Sequence, residues 1–262
     1  MAIASRYSEL RKLRVLVTRA EHQADRFTAG LQTLGIEVVH LPTMAIEFYQ
    51  SINNGEIEST LSSDIVIFTS TNAVTGALRL FPRHAFTAGR SFGIASIGTA
   101  TTEALQHHSI NVEIAPPLSG GSEQLLEILD PPKLTGSKVT IVRGDSGRDK
   151  LLQQLQNSGV VARYQPVYRR YCPPTDPVEV RNLLKKQCPD AISITSNDGL
   201  LNLLKIAPVD THRQLFATAL LVNSDRCATL ARKLGFQSQV LIAKPPGDTT
   251  QLELAESLLR IR

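Results

Sequence analysis

The chain repeats itself, and the repeat limits the folds open to it. The segment VTRAEHQADRFTAGLQTLGIEVVHLPTM (Val17–Met44) lies on IVRGDSGRDKLLQQLQNSGVVARYQPVY (Ile141–Tyr168) without a gap, at an offset of 124. Arg19 meets Arg143, Asp25 meets Asp149, Leu31 meets Leu155, Gln32 meets Gln156, Gly35 meets Gly159 and Pro42 meets Pro166. Six identities over 28 positions exceed the roughly two expected by chance. Two further pairs follow in the same order. FTSTNAVTGAL (Phe68–Leu78) is echoed by ITSNDGLLNLL (Ile194–Leu204), and IGTATTEAL (Ile97–Leu105) by VNSDRCATL (Val222–Leu230). One such match is ordinary for strand–turn–helix units; three at nearly one offset imply two similar domains.

The local pattern gives their class. Val- and Ile-rich runs recur as strands: RVLVT, EVVHL, DIVIFTS, SFGIASIG, NVEIA, KVTIVRG, VARYQPVY, DAISITS, ALLVNS and QVLIA. Helical spacing separates most of them. In ADRFTAGLQTLG, Phe27, Leu31 and Leu34 share a face, and Gly35 stands where a left-handed cap ends a helix. Alternating strand and helix predicts two three-layer α/β domains with parallel sheets. Both HLPTMAIEFYQ and YQPVYRRYCPP look extended and hold a proline, which favours edge or connector positions. If both are crossings, near 42–50 and 164–174, residues 1–45 plus 172–262 form one discontinuous domain. Residues 46–168 form an inserted one, with a two-stranded connector and a cleft between the domains as the expected ligand site.

In such sheets, ligands gather where strands end and helix N-termini begin. The residues there are Thr18 and Arg19; Thr69, Ser70 and Asn72; Gly98 and Thr101; Arg143, Gly144 and Arg148; Thr195, Ser196 and Asn197; and Ser224. Hydroxyls, amides, glycines and arginines suit a ligand carrying several carboxylates or phosphates. Each hydroxyl or amide is also a preferred helix cap, a role that needs no ligand. Asp145 and Asp198 have acid–base capacity but suit turns and caps equally. A tyrosine is a weak acid still protonated at neutral pH. YQPVYRRY offers Tyr164, Tyr168 and Tyr171, with Tyr164 and Tyr168 on one face of a regular strand. Packing against a domain seam is the alternative role for each.

Other chemistries find no frame. VRGDSGRDKL lacks the Gly-Lys-Ser/Thr of a phosphate loop, and no GxGxxG or GxSxG is present. Cys172, Cys188 and Cys227 and the six histidines show no metal-ligand or disulfide spacing, so no metal is expected. The net charge of +4 is spread along the chain without aromatic interleaving, which argues against nucleic acid. No apolar run reaches membrane-spanning length, and Met1 to Lys12 lacks the apolar core of an export signal. A cytoplasmic protein is expected. A non-enzymatic two-domain binding module or sensor for a small polyanion stays open at this point.

Taken together, VLVTRAEHQADRFTAGLQTLGIEVVHLPTMAIE, FTSTNAV, IGTATTEAL, LTGSKVTIVRGDSGRDKLLQQLQNSGVVARYQPVYRR and ITSNDGLLNLL resemble the uroporphyrinogen-III synthase family. They follow family order from Leu13 to about Leu259. The resemblance implies cyclisation of hydroxymethylbilane to uroporphyrinogen III, with loss of water, inversion of ring D and no cofactor. It implies departure of the terminal hydroxyl to leave an azafulvene, then closure through a spiro intermediate. The substrate's eight carboxylates fit the donor-rich strand ends. The family's tyrosine falls on Tyr168 as the acid assisting that departure, and Thr69 and Thr101 match threonines lining the family's cleft. A monomer is implied, with room for transient contact with the deaminase that supplies the bilane. Two departures stand out: Ala20 replaces a common proline, and Asp225 and Arg226 replace hydroxyl residues.

Overall fold

The computed structural model describes residues 12–87, 89–117, 121–147 and 149–260. Its strands and helices alternate along most of the chain. First come β1 (Arg14–Val17), α1 (Glu21–Thr33), β2 (Glu37–His40), β3 (Ala45–Phe48), α2 (Asn54–Leu61), β4 (Ile65–Phe68) and α3 (Thr71–Leu80). Then follow β5 (Gly93–Ser96), α4 (Thr99–His107), α5 (Ser122–Leu129), β6 (Lys138–Gly144), α6 (Lys150–Asn157) and β7 (Val161–Tyr171). The chain finishes with α7 (Pro177–Gln187), β8 (Ala191–Ile194), α8 (Asn197–Ile206), α9 (His212–Phe216), β9 (Ala219–Val222), α10 (Asp225–Leu234), β10 (Val240–Ile242) and α11 (Asp248–Leu259).

Two compact units result. Residues up to 45 join those from 171 onwards in the first, and residues 46–170 form the second. The first holds a sheet of order β10-β9-β8-β1-β2, the second one of order β3-β7-β6-β4-β5. The second order, reversed, matches the first through the repeat: β9 with β5, β8 with β4, β1 with β6 and β2 with β7. The pairs joining these strands are parallel in both sheets. The place of β10 is taken in the second unit by an isolated bridge between Ala95 and Ile114, all that remains of the NVEIA strand expected from sequence.

Period-two alternation builds both cores. Leu16 points into one cluster with Ile192, Ile194, Leu220 and Val222, while Val15, Val17, Ala191 and Leu221 point into another. Helices α7, α8 and α10 cover the first face through Leu184, Leu203 and Ala231; α1 and α11 cover the second through Phe27, Leu31 and Ala255. The second unit repeats the arrangement, with Val66, Phe68 and Val142 on one face and Ile65, Ile67 and Ile141 on the other. Apolar residues on both faces of a strand demand two covering layers, hence three layers per unit. Gly35 and Gly159 close the matched helices at φ +74 and +78, where a glycine carries no steric penalty.

One expectation fails at β7. Pro166 does not mark an edge, because β7 lies between β3 and β6. The proline is accommodated instead by a bulge: Pro166 pairs with Arg143, but Tyr168 pairs with Gly144, leaving Val167 as the extra residue. The bulge also undoes simple alternation. Val167 and Tyr168 face the same cluster, whereas Tyr164 packs against the cluster on the other face of the sheet. Tyr164 and Tyr168 therefore do not share a face.

Candidate functional site

The strand-end hydroxyls sort by where their protons go. Thr18 donates to the Ser193 carbonyl at 2.7 Å, tying β1 to β8, and Thr69 donates to the Val142 carbonyl at 3.0 Å, tying β4 to β6. Their protons are committed to the fold. Ser70, Ser196 and Ser224 are N-caps of α3, α8 and α10, and accept from the N–H groups of Ala73 (3.1 Å), Gly199 (3.0 Å) and Cys227 (3.2 Å). Capping uses an oxygen lone pair and leaves the hydroxyl proton to donate, so a cap can also be an anion donor. Capping and binding are thus compatible at the serines, whereas at Thr18 and Thr69 the bridge between strands takes the proton.

The remaining candidates divide by access. Thr195 is exposed, and Asn72, Gly98 and Asn197 are half-buried at their helix starts. Asn197 carries a buried side-chain oxygen with no partner among the described residues. Thr101 is buried in the first turn of α4, and Gly98 caps that helix with extended backbone. Arg148 lies outside the described residues.

Both matched arginines are folded inward. Arg19, 9% exposed, forms an ion pair with Asp248, donates to Gln251 at 3.2 Å and stacks on the Phe27 ring at 4.1 Å. Arg143 stacks on Tyr164 at 4.2 Å, donates from Nε to the Gly144 carbonyl at 3.0 Å and reaches Asp149 at 3.3 Å. A Cβ on Gly147, at φ +138, would collide with that guanidinium, which explains this glycine in the loop. These arginines shape the strand ends from within.

Tyr168 is 1% exposed, with its ring edge-on to Phe48 at 6.2 Å. A Cβ on Gly144 would stand 2.7 Å from the ring, so the glycine makes room for the tyrosine. Its hydroxyl lies 3.3 Å from Ser70 Oγ and accepts from Arg170 Nη2 at 3.2 Å. Since arginine only donates, it occupies a lone pair of the phenol oxygen and leaves the phenolic proton to be given away. Arg170 is exposed and was not singled out by sequence; its place two residues after Tyr168 in YRRY was the available signal. By contrast, Tyr164 donates to Asp149 at 2.9 Å. Burial, then that hydrogen bond, pushes its pKa up. Tyr49 is also raised, by burial first and then by the charge of Asp145.

Elsewhere in the first unit, an open depression at the amino ends of β1 and β2 is lined by Lys12, Arg14, Glu37 and Gln187. Arg14 and Glu37 are paired with each other there, at the opposite end of the sheet from the candidate donors. Among the described residues, no three His, Cys, Asp or Glu side chains are grouped to hold a metal. No described helix is long and apolar enough to cross a membrane.

A family model described as uroporphyrinogen-III synthase HemD matches residues 25–248. The chain is 28% identical over 241 residues to the uroporphyrinogen-III synthase of Salmonella typhimurium strain LT2, covering 85% of this chain and 92% of that one. It is 28% identical over 229 residues to that of Escherichia coli K12, with the same coverage of 85% and 92%. Among solved structures it is similar to the uroporphyrinogen-III synthetase of Helicobacter pylori 26695 (TM-score 0.64, 17% identity, 94% of this chain and 99% of that one). It is also similar to a mutant uroporphyrinogen III synthase of Thermus thermophilus (TM-score 0.61, 16% identity, 95% and 100%). At those identities the two structures establish the fold alone.

Proposed function

The chain belongs to the uroporphyrinogen-III synthase family, and on that premise we propose that Tyr168 is the acid that helps the substrate lose its terminal hydroxyl. The activity is cyclisation of hydroxymethylbilane in tetrapyrrole biosynthesis. The observation that carries the assignment is the Tyr168 hydroxyl, held between Ser70 and Arg170 with its own proton still to give. As the terminal C–O bond breaks, the phenolic proton passes to the departing oxygen and water forms. Arg170 stabilises the negative charge that develops on the phenol oxygen, a contribution that grows toward the transition state. Because Tyr168 is buried, the exposed Arg170 side chain swings aside or turns to admit the leaving hydroxyl.

The other demand of the reaction is positioning. Each unit offers donors for carboxylates of the bilane: the first the free protons of Ser196 and Ser224, the Thr195 hydroxyl and backbone N–H groups at the starts of α8 and α10, the second backbone N–H groups at the starts of α3 and α4. Held in this way, the bilane closes with ring D inverted rather than directly to the type I isomer. A weak acid and anion donors suffice for this chemistry, so the reaction is proposed to need no cofactor. The test is to supply freshly generated hydroxymethylbilane and identify the porphyrin isomer after oxidation. Type III formed faster than spontaneous closure is the expected result; type I alone at the spontaneous rate would contradict the reading.

A further inference from the structure

The sequence places Asn223 directly before the Ser224 cap, and the fold decides which way its amide faces. Gln251, in the first turns of α11, is 0% exposed and connects three strand ends. Arg19 Nη2 lies 3.2 Å from one atom of the Gln251 amide. Arginine can only donate, so that atom is the oxygen, Oε1. The same oxygen accepts from Ser193 Oγ at 2.7 Å. Nε2 therefore faces β9, donating to the Leu221 carbonyl at 3.3 Å and to Asn223 Oδ1 at 2.9 Å. An atom that receives an amide N–H must be an acceptor, so Asn223 keeps its oxygen inward and turns Nδ2 outward. Asn223 is half-buried, and its Nδ2 is neither a buried orphan nor matched to an acceptor among the described residues. A chain of forced choices from Arg19 through Gln251 thus ends in two N–H donors at the end of β9.

We propose that Asn223 binds the substrate by donating its side-chain amide to a bilane carboxylate, and that Gln251 is the positioning residue that holds the amide in that sense. The inference rests on the synthase reading and adds a binding residue to it. The neighbourhood suits an anion. The Ser224 proton is free to donate beside Asn223, and the ten-residue helix α10 starts there. The carboxylate of Asp225 is paired with Lys244 at 3.1 Å, and that of Asp248 with Arg19. Asp225 and Arg226 offer no hydroxyl, and Asn223 joins Ser224 as a neutral donor on this loop.

Steady-state kinetics with freshly generated hydroxymethylbilane test the proposal. Asn223→Ala is expected to raise KM about tenfold, the loss of one charge-assisted hydrogen bond, with kcat and the type III product kept. Asn223→Asp is expected to raise it further, because a negative charge then faces the carboxylate. Gln251→Glu removes the N–H that holds Asn223 Oδ1, so the Asn223 amide reverses and KM rises to the Asn223→Ala level. Added to Asn223→Ala, Gln251→Glu is expected to raise KM no further. If Gln251→Glu loses its fold, Asn223→Asp also replaces the outward N–H by an oxygen, a charged one, and carries the readout. A wild-type KM in Asn223→Ala, or an equal Gln251→Glu effect with and without Asn223, would overturn the proposal. Type I product alone from the wild-type chain would instead overturn the synthase reading on which it rests.

Discussion

The two units start from matched strands and helices and finish their strand ends differently. Arg19 and Arg143 occupy the same repeat position, and both are buried. The first unit folds Arg19 onto α11, through Asp248 and Gln251, and builds a buried polar network across β1, β8 and β9. The second folds Arg143 onto its own loop and onto Tyr164, and its longer β7 adds a bulge that delivers Tyr168. The short β2 has no such extension. A duplicated scaffold thus supplies two sets of capped strand ends, and one of them carries the proposed acid.

The largest structural effect is expected where the proposed acid is housed. Gly144→Ala drives a methyl group into the ring of Tyr168, which is packed in the core. Thermal unfolding should show a loss of about 1–3 kcal/mol, as for other overpacked cores, and turnover should fall with it. A wild-type Tm and turnover would mean the ring has room that the structure does not show.

A smaller effect is expected from the first unit's arginine. Asp248→Asn leaves Arg19 buried with a weaker partner, but the Asp248 side chain is 35% exposed, so water already screens the pair. The expected loss is about 1–2 kcal/mol in chemical denaturation, with the type III isomer still formed. A variant that unfolds outright would make this ion pair far more central than its exposure allows.

The smallest effect gives the sharpest comparison. Ser70→Ala and Ser196→Ala each remove a helix cap and should each cost about 1 kcal/mol. Only Ser70 also touches the Tyr168 hydroxyl, so Ser70→Ala should lower kcat where Ser196→Ala changes mainly KM. Identical kinetic profiles would show that the two capped ends are equivalent.

Much of the scaffold could be read from the sequence, because the features that specify it are local. The apolar runs, the glycines at 35 and 159 and the repeat itself predicted parallel α/β units, and all but one of the expected strands formed. The site was less legible, because whether a hydroxyl caps, bridges or binds depends on where its proton points. Thr18 and Ser196 look alike in sequence, yet one spends its proton on a neighbouring strand and the other keeps it. The bulge at Val167 defeated alternation, because Pro166 removes a backbone donor inside a sheet rather than at its edge. Gln251 meets Asn223 through a side-chain contact that no spacing rule announces, and only the place of Arg170 in YRRY hints at its contact with Tyr168.

Tyr164 and Tyr168 lie four residues apart on one strand, on opposite faces of one sheet, and their phenylalanine variants test the central claim most directly. Each removes one hydroxyl and keeps the ring. With freshly generated hydroxymethylbilane, Tyr168→Phe is expected to lower kcat roughly tenfold to hundredfold, with the fold intact by circular dichroism. Tyr164→Phe is expected to keep kcat and lose a little stability through the lost Asp149 hydrogen bond. Full turnover in Tyr168→Phe, or an equal loss in both variants, would contradict the assignment of Tyr168 as the acid.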